Sequence, residues 1–484
     1  MPPYEAIIGM EVHAQLLTRS KMFCGCDADI FAAEPNTHVC PVCLGLPGTL
    51  PVVNRRAVEQ AILAGLALNC QVAGTAVFDR TNYFYPDLPK GYLITMYERP
   101  LCRDGWIEVD DPGSPGREVK RIGIQRVHLE EDTARLSHAA DHSLLDFNRA
   151  GMPLVEIVTE PDIRTPEEAR GYLNKLQTIL RTLGVSSGDM EKGAMRCEAN
   201  VSLRLPGSKA PGAKVEIKNL NSFRSVKLAL AYEIERQAAL LAAGGEVRQV
   251  TMGWDERQGR TVEQRAKEVA DDYRYFPEPD LPPLVVSRAW VDRVRAAMSE
   301  LPDARRDRFV ADYGLSREEA AILVTDRDVA DYFDQVATVG RERGVDPRSA
   351  APWVTGELFR LLKAKEGEIS GLGVTPATLV ELVALVQEGT ITANSGKAVL
   401  EEIASTGRSA SEIVGEGGWA QISERDTLAG VVEQVIAAHP QQVRQYQEGK
   451  ETLLHWFVGQ VMEATHGKAD PQGVLALLGE RLRK

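Results

Sequence analysis

Four prolines in twelve residues, FPEPDLPPLVVS at 276–287, decide how this 484-residue chain can be divided. Proline has no backbone N–H and its ring clashes with the preceding helical turn, so no helix runs through such a segment. Before it, the apolar residues recur mostly with period two, as in strands. After it, they recur with the 3.6-residue period of helices. At roughly 150 residues per domain the length fits about three domains. A weaker break at STGRSASEIVGEGG (405–418) supplies the second boundary. The expected fold is α+β: an antiparallel-sheet-rich domain with inserted helices over 1–291, an all-α helical domain over 292–407 and a small all-α tail over 408–484.

The strand segments have one apolar and one polar face. In IGMEVHAQL, Ile8, Met10, Val12, Ala14 and Leu16 share a face, and Glu11, His13 and Gln15 share the other. In MRCEANVSLRL, Met195, Cys197, Ala199, Val201 and Leu203 oppose Arg196, Glu198, Asn200, Ser202 and Arg204. KVEIK sets Lys214, Glu216 and Lys218 against Val215 and Ile217, and IGIQRVHLEED puts Arg126, His128 and Glu130 on one face, with Glu131 following. Glu156 lies between Leu154 and Val158 on an otherwise apolar face, where a carboxylate needs a partner or a metal. One polar strand face is ordinarily just solvated. Several of them bearing Glu, His, Arg and Lys, if they line one sheet, suit Mg²⁺ and phosphate oxygens. Two inserted helices are expected from their ends. One opens on the capping box Thr165-Pro166-Glu167-Glu168 and stops at Gly184; the other runs from near Ser222 to Gly244-Gly245.

The net charge of −13 excludes nucleic-acid binding through bulk charge, so any such contact needs a local basic patch or a partner. No stretch reaches eighteen apolar residues, so no membrane span is expected. The start, MPPYEAIIGMEVH, lacks the basic and apolar regions of a signal peptide, and a cytoplasmic location is expected. Of seven cysteines, four fall within twenty residues, at Cys24, Cys26, Cys40 and Cys43. In a reducing compartment a C-x-C and a C-x-x-C joined by a short loop favour a structural tetrathiolate zinc knuckle; the alternative is four unmetallated thiols. There is no G-x-x-x-x-G-K-[ST], since NSGKA (394–398) is a fragment only, and no strand–G-x-G-x-x-G–helix unit. No serine or cysteine nucleophile constellation is evident.

The strings GMEVHAQL, CPVCLGLPGTLPVVN, DRTNYFYPDLPKGY, HLEEDTARL, FNRAGMPLVEIVTEPDI, MRCEANVSLR, EIKNLNSF, DYRYFPEPDLPP and FVGQVMEATHGKADP occur in this order over nearly the whole chain. In them the chain closely resembles the B subunits of the tRNA-dependent aspartyl/glutamyl amidotransferases. The resemblance implies a cradle domain, then a helical domain, then a helical tail that touches tRNA. It implies a heterotrimer completed by the amidase (A) subunit and the small (C) subunit. In that assembly ATP would activate the side-chain carboxylate of Glu-tRNA(Gln) or Asp-tRNA(Asn) to an acyl phosphate, and ammonia from the amidase would convert it to the amide. The family's Mg²⁺ and phosphate motifs fall on Glu11 and His13, Glu130 and Glu131, Glu156, Glu198 and Glu216, with Arg265, Lys267 and Glu268 in the RAKE stretch. Glu11, His13, Glu130 and Glu156 are the implied magnesium ligands. The family often has Asp where Glu198 stands, and only some members carry the zinc cysteines. The implied tRNA phosphate contacts in the tail are Lys450, His466 and Lys468. A tRNA-binding scaffold without catalytic role has no need of the strand carboxylates. A zinc hydrolase is disfavoured by four cysteines, because catalytic zinc keeps an open position.

Overall fold

A computed structural model describes residues 4–110, 119–208, 212–266, 273–365, 367–419 and 425–482. It divides into two compact units, 1–301 and 302–484. The chain is α+β, sheet-rich before the proline segment and helical after it.

The first unit is built on a nine-stranded sheet. Its strands are β1 (Glu5–Gln15), β2 (Gln71–Val72), β3 (Cys102–Asp110), β4 (Val119–Glu131), β5 (Pro153–Thr159), β6 (Met195–Arg204), β7 (Val215–Leu220), β8 (Val250–Asp255) and β9 (Arg260–Ala266). Their order across the sheet is β9-β8-β7-β6-β1-β5-β4-β3-β2, with the first strand in the middle. All pairings are antiparallel except β7 with β8, which are joined by the crossover helix Phe223–Ala242. The alternation read from sequence is the alternation of burial. Ile8, Met10, Val12 and Ala14 are fully buried and Leu16 nearly so. Met195, Cys197, Ala199, Val201, Leu203, Val215 and Ile217 join the same core. Helices Arg55–Ala67, Pro166–Thr182 and Phe223–Ala242 pack on the sheet and cover that apolar side.

Local signals place these helices. Asn54 caps the first through Arg56 N and Ala57 N, and Ser222 caps the third through Ser225 N. Thr165 caps the second by accepting from Glu168 N at 3.1 Å. The reciprocal half of the expected capping box is displaced: the Glu168 carboxylate accepts from Arg164 N, one residue earlier, and from Lys120 of β4. Burial against the sheet gives Glu168 a cationic partner that a free helix end lacks.

The unit extends to Leu301 because helix Arg288–Ala296 packs against helix Arg55–Ala67. Trp290 Nε1 donates to Glu59 at 3.1 Å, and Arg55 lies 5.4 Å over the Trp290 ring. A small sheet of Asp79–Asn82, Tyr92–Thr95 and Phe276–Pro277 completes the unit, with the proline segment supplying an edge strand.

The second unit is helical among its described residues, with two apolar clusters. One gathers residues between Phe309 and Trp419, including Phe333, Val354, Leu379 and Leu400. The other gathers Leu428, Val432, Phe457, Val461, Val474 and Leu478. Helix Ala410–Gly417, beyond the expected boundary at 407, contributes Ala410 and Ile413 to the former. Residues 394–398 lie within helix Ala393–Thr406, not in a phosphate-binding loop.

Candidate functional site

Register alone assembles the polar side of the sheet. Directly opposed residues of an antiparallel pair share a face, with Cβ atoms about 4.5–5.5 Å apart. His13 on β1 opposes Glu156 on β5, which opposes His128 on β4. Glu11 on β1 opposes Glu198 on β6, and one strand further Asn200 opposes Glu216 on β7. Two clusters result. In each, one ligand-capable atom per residue lies within 4.8 Å of the others: His13, Glu130 and Glu156 in one, Glu11, Glu198 and Glu216 in the other. All six residues line a single cavity of about 440 Å³.

In the first cluster His13 Nε2 stands 3.5 Å from Glu156 and 3.7 Å from Glu130, and His128 Nε2 is 3.1 Å from Glu156. Burial alone would raise the pKa of Glu156, but the charges of His128 and His13 and hydrogen bonds from both hold it well below the usual carboxylate range. Burial, with repulsion from Glu156, raises Glu130 against the opposing pull of His13. Burial would lower His13, yet the Glu156 charge and hydrogen bond and then the Glu130 charge push it up to about 9. A divalent cation bound there would displace the proton from His13 and balance the same two carboxylates in its place. In the second cluster Asn200 Nδ2 donates to Glu11 at 2.8 Å, Lys218 Nζ to Glu198 at 2.8 Å and Thr251 Oγ1 to Glu216 at 2.7 Å. These bonds orient the carboxylates and leave oxygen ligands of the hard kind that Mg²⁺ takes.

The remaining sequence-derived candidates are placed differently. Glu131 is one residue beyond Glu130 and therefore leaves the other face of β4. It is buried, receives Lys90 Nζ and the backbone N–H of Ile94, and lines a different pocket beside Cys24 and Cys43. It is not part of either cluster. Arg265 is placed by its backbone opposite Thr251 of β8. Lys267 and Glu268 lie outside the described residues. Lys450 precedes helix Leu453–Ala464, while His466 and Lys468 follow it. Twelve residues at 1.5 Å each put about 18 Å of helix between them, so the three do not form one patch. His466 sits at φ +53°, in the left-handed turn that ends the helix.

The four cysteines do come together, with sulfur atoms within 4.8 Å of one another. Zinc with four thiolates at about 2.3 Å requires sulfurs about 3.8 Å apart, so the donor set fits with a small contraction. Cys43 Sγ accepts from Cys40 N at 3.2 Å. A hydrogen bond from Cys24 first, and the charge of Lys21 after it, bring Cys43 down to about 4, while the same hydrogen bond pushes Cys24 up. The loop between the cysteine pairs is tied to a neighbouring hairpin by Asn36 N to Asp146 at 3.0 Å and Asn148 Nδ2 to Glu34 O at 2.8 Å. Gly45, at φ +66°, lets the clip approach a loop where a Cβ would stand 2.9 Å from Lys90 Cα.

Several cavity residues were absent from the sequence-derived site. Arg126 and His128 share the i, i+2 spacing of Glu130, which was their available signal. Tyr97 and Tyr275, stacked at 4.0 Å between centroids, come from separate segments and carried no periodic signal. Lys21, fully buried beneath the clip, carried none either.

A family model described as the GatB/GatE catalytic domain matches residues 6–292, and a GatB domain model matches residues 331–482. The chain belongs to the GatB family. Among its relatives, a GatB protein of Roseiflexus sp. (strain RS-1) is 54% identical over 485 residues, covering 99% of each chain. A relative from Thermomicrobium roseum is 52% identical, again over 99% of each. One from Carboxydothermus hydrogenoformans is 49% identical over the full length of both. All three are named as the B subunit of an aspartyl/glutamyl-tRNA(Asn/Gln) amidotransferase. The catalytic-domain match of this GatB chain contains both carboxylate clusters and the four cysteines.

Proposed function

We propose that this chain is the carboxylate-activating subunit of a tRNA-dependent amidotransferase, acting in the cytoplasm on Glu-tRNA(Gln), Asp-tRNA(Asn) or both. The observation that carries the reading is the pair of carboxylate clusters on one sheet face, lining one cavity. The names of the full-length relatives support the reaction class. In the first step a side-chain carboxylate oxygen of the aminoacyl group attacks the γ-phosphorus of ATP. The bond to the β–γ bridging oxygen breaks, its electron pair leaves with ADP, and a mixed acyl phosphate forms. In the second step ammonia adds to the acyl carbon, the carbon–oxygen bond breaks, orthophosphate departs and the nitrogen loses a proton, giving the amide. Ammonia would come from the amidase (A) subunit, with the small (C) subunit completing the assembly.

His13, Glu130 and Glu156 would hold one Mg²⁺, and Glu11, Glu198 and Glu216 would hold a second. Bound there, Mg²⁺ neutralises phosphate charge and aligns the transferred group. The residues themselves keep that geometry: Asn200, Lys218 and Thr251 fix one set of carboxylates and His128 the other. Arg265, Lys267 and Glu268 are proposed phosphate contacts, Lys450, His466 and Lys468 tRNA contacts, and the four cysteines a structural zinc site. A non-catalytic scaffold would leave both half-buried carboxylate clusters without purpose.

The test is ammonia-dependent transamidation by the assembled enzyme across a range of Mg²⁺ concentration. His13→Ala and Glu11→Ala are expected to abolish nearly all activity. If these residues merely formed solvated pairs, each loss would amount to about 0–1 kcal/mol. Wild-type rates in both variants would place the active site elsewhere.

A further inference from the structure

We propose that Arg126 is a catalytic residue of this site, with its guanidinium contacting the phosphoryl group transferred from ATP. Arg126 lines the carboxylate cavity from β4. Its opposite residue on β5 is Val158, which in turn opposes Glu11 on β1. Arg126 and Glu11 are therefore in one row of the sheet, two strand spacings or about 9.6 Å apart at the backbone. In the neighbouring row, His128, Glu156 and His13 follow the same order across the same three strands. Arg126 is thus on the cavity face beside both carboxylate clusters.

Its bonding is incomplete in a way that matters for an arginine. Guanidinium carries five N–H donors and stays charged at any physiological pH. Among the described residues the Arg126 side chain makes no hydrogen bond. Its one ion-pair approach is 3.9 Å to Glu156, a carboxylate already engaged by His128 and His13. Arg126 Nε is buried without a partner. The guanidinium also lies 5.7 Å from the Tyr97 ring centroid, and Tyr97 is stacked on Tyr275, so an aromatic wall limits its movement. By contrast Lys218 in the same cavity donates to Glu198 at 2.8 Å.

A half-buried cation with unused donors, beside two sets of metal-competent carboxylates, has the form of an anion receptor. Planar guanidinium matches two phosphate oxygens at once, which an ammonium cannot do. During transfer, charge spreads over the three non-bridging oxygens of the γ-phosphoryl group while the bond to ADP breaks and the bond to the carboxylate forms. A donor fixed at that point gains most in the transition state. The inference rests on the nucleotide reading above and adds a residue and a role to it.

The experiment uses the assembled amidotransferase with mischarged tRNA and ammonia, following ADP formation and amide formation together. Arg126→Ala is expected to lower kcat by about 10²–10³-fold, as for removal of a single transition-state donor, with KM for ATP changed much less. Guanidinium ion added to the solution is expected to recover about tenfold or more of the loss, and urea to recover none, because only the former supplies a cationic planar fork. Thermal unfolding of the variant establishes that it is folded. Absence of ATP turnover by the wild-type assembly would overturn the nucleotide reading and this inference with it. Turnover by wild type and undiminished turnover by Arg126→Ala would overturn the Arg126 assignment alone. So would a loss that guanidinium ion does not relieve, since that marks a packing role.

Discussion

Lys21 gives a test of the cysteine clip that zinc release reads directly. Its side chain is 0% exposed, and its ammonium donates to Ala150 O at 2.7 Å and Phe147 O at 3.3 Å, with Cys43 Sγ at 3.7 Å. Among the described residues no carboxylate pairs with it. Lys21→Met keeps the stem and most of the volume and removes the charge. If the site holds no metal, the charge facing Lys21 is the Cys43 thiolate, which can take up a proton once the cation is gone. Lys21→Met then costs about 1–3 kcal/mol at the unpaired carbonyl and changes no metal affinity. If four thiolates hold Zn²⁺, the cluster carries two net negative charges, and one cation at 3.7 Å is worth about 4.5 kcal/mol gross at an effective dielectric of about 20. Desolvation reduces that figure, and outer-shell changes at metal sites cost about 10–100-fold in affinity. Lys21→Met is therefore expected to release zinc to a chromogenic chelator about 10–100-fold more readily than wild type, and Cys40→Ser, which removes a ligand, to lose it outright. Zinc held equally tightly by Lys21→Met and wild type, or no zinc in wild type at all, would refute the reasoning.

Two further predictions concern the helical unit. Asp334 accepts hydrogen bonds from Arg308, Tyr313 and Arg305; these outweigh burial, which would raise it, and bring it down from 3.8 to about 2. A depressed carboxylate stabilises fully above its unfolded pKa, so the contribution, roughly 2 kcal/mol, is present above about 3.8 and lost as pH falls through about 2. Asp334→Asn is expected to lower stability by at least that amount at neutral pH and to flatten the acid limb of the melting profile between pH 4 and 2. Removing residues 425–482 is expected to weaken tRNA binding by filter retention while ammonia-dependent amide formation persists at saturating tRNA. Equal affinity would leave that part without a recognition role.

What was legible in the sequence was whatever repeats along one strand. The face carrying Ile8, Met10, Val12 and Ala14 and the opposite face carrying Glu11 and His13 follow from period two alone. Glu156 was legible as an exception to its own face, and the structure gives it the partner its burial requires. Glu131, implied by the resemblance alone, follows Glu130 directly and so leaves the opposite face of β4. The register that joins Glu11 to Glu198 across 187 positions, and the bulge that follows between β6 and β7, are displayed by no single segment. Lys21 and Tyr275 were silent because their roles depend wholly on what folds against them.

The central position of β1 also sets a schedule. Residues 5–15 leave the ribosome long before either neighbour, β5 at 153–159 or β6 at 195–204. At roughly 5–20 residues per second, about 10–40 s pass before the later partner exists. Until β5 emerges a strand with an unbroken apolar face has both edges open, and until β6 emerges it has one, a state prone to mispairing with another nascent chain. Glu11, near the middle of that strand, puts charge where a foreign strand would otherwise dock. A carboxylate proposed to hold metal in the finished protein thus also opposes mispairing while the chain is being made.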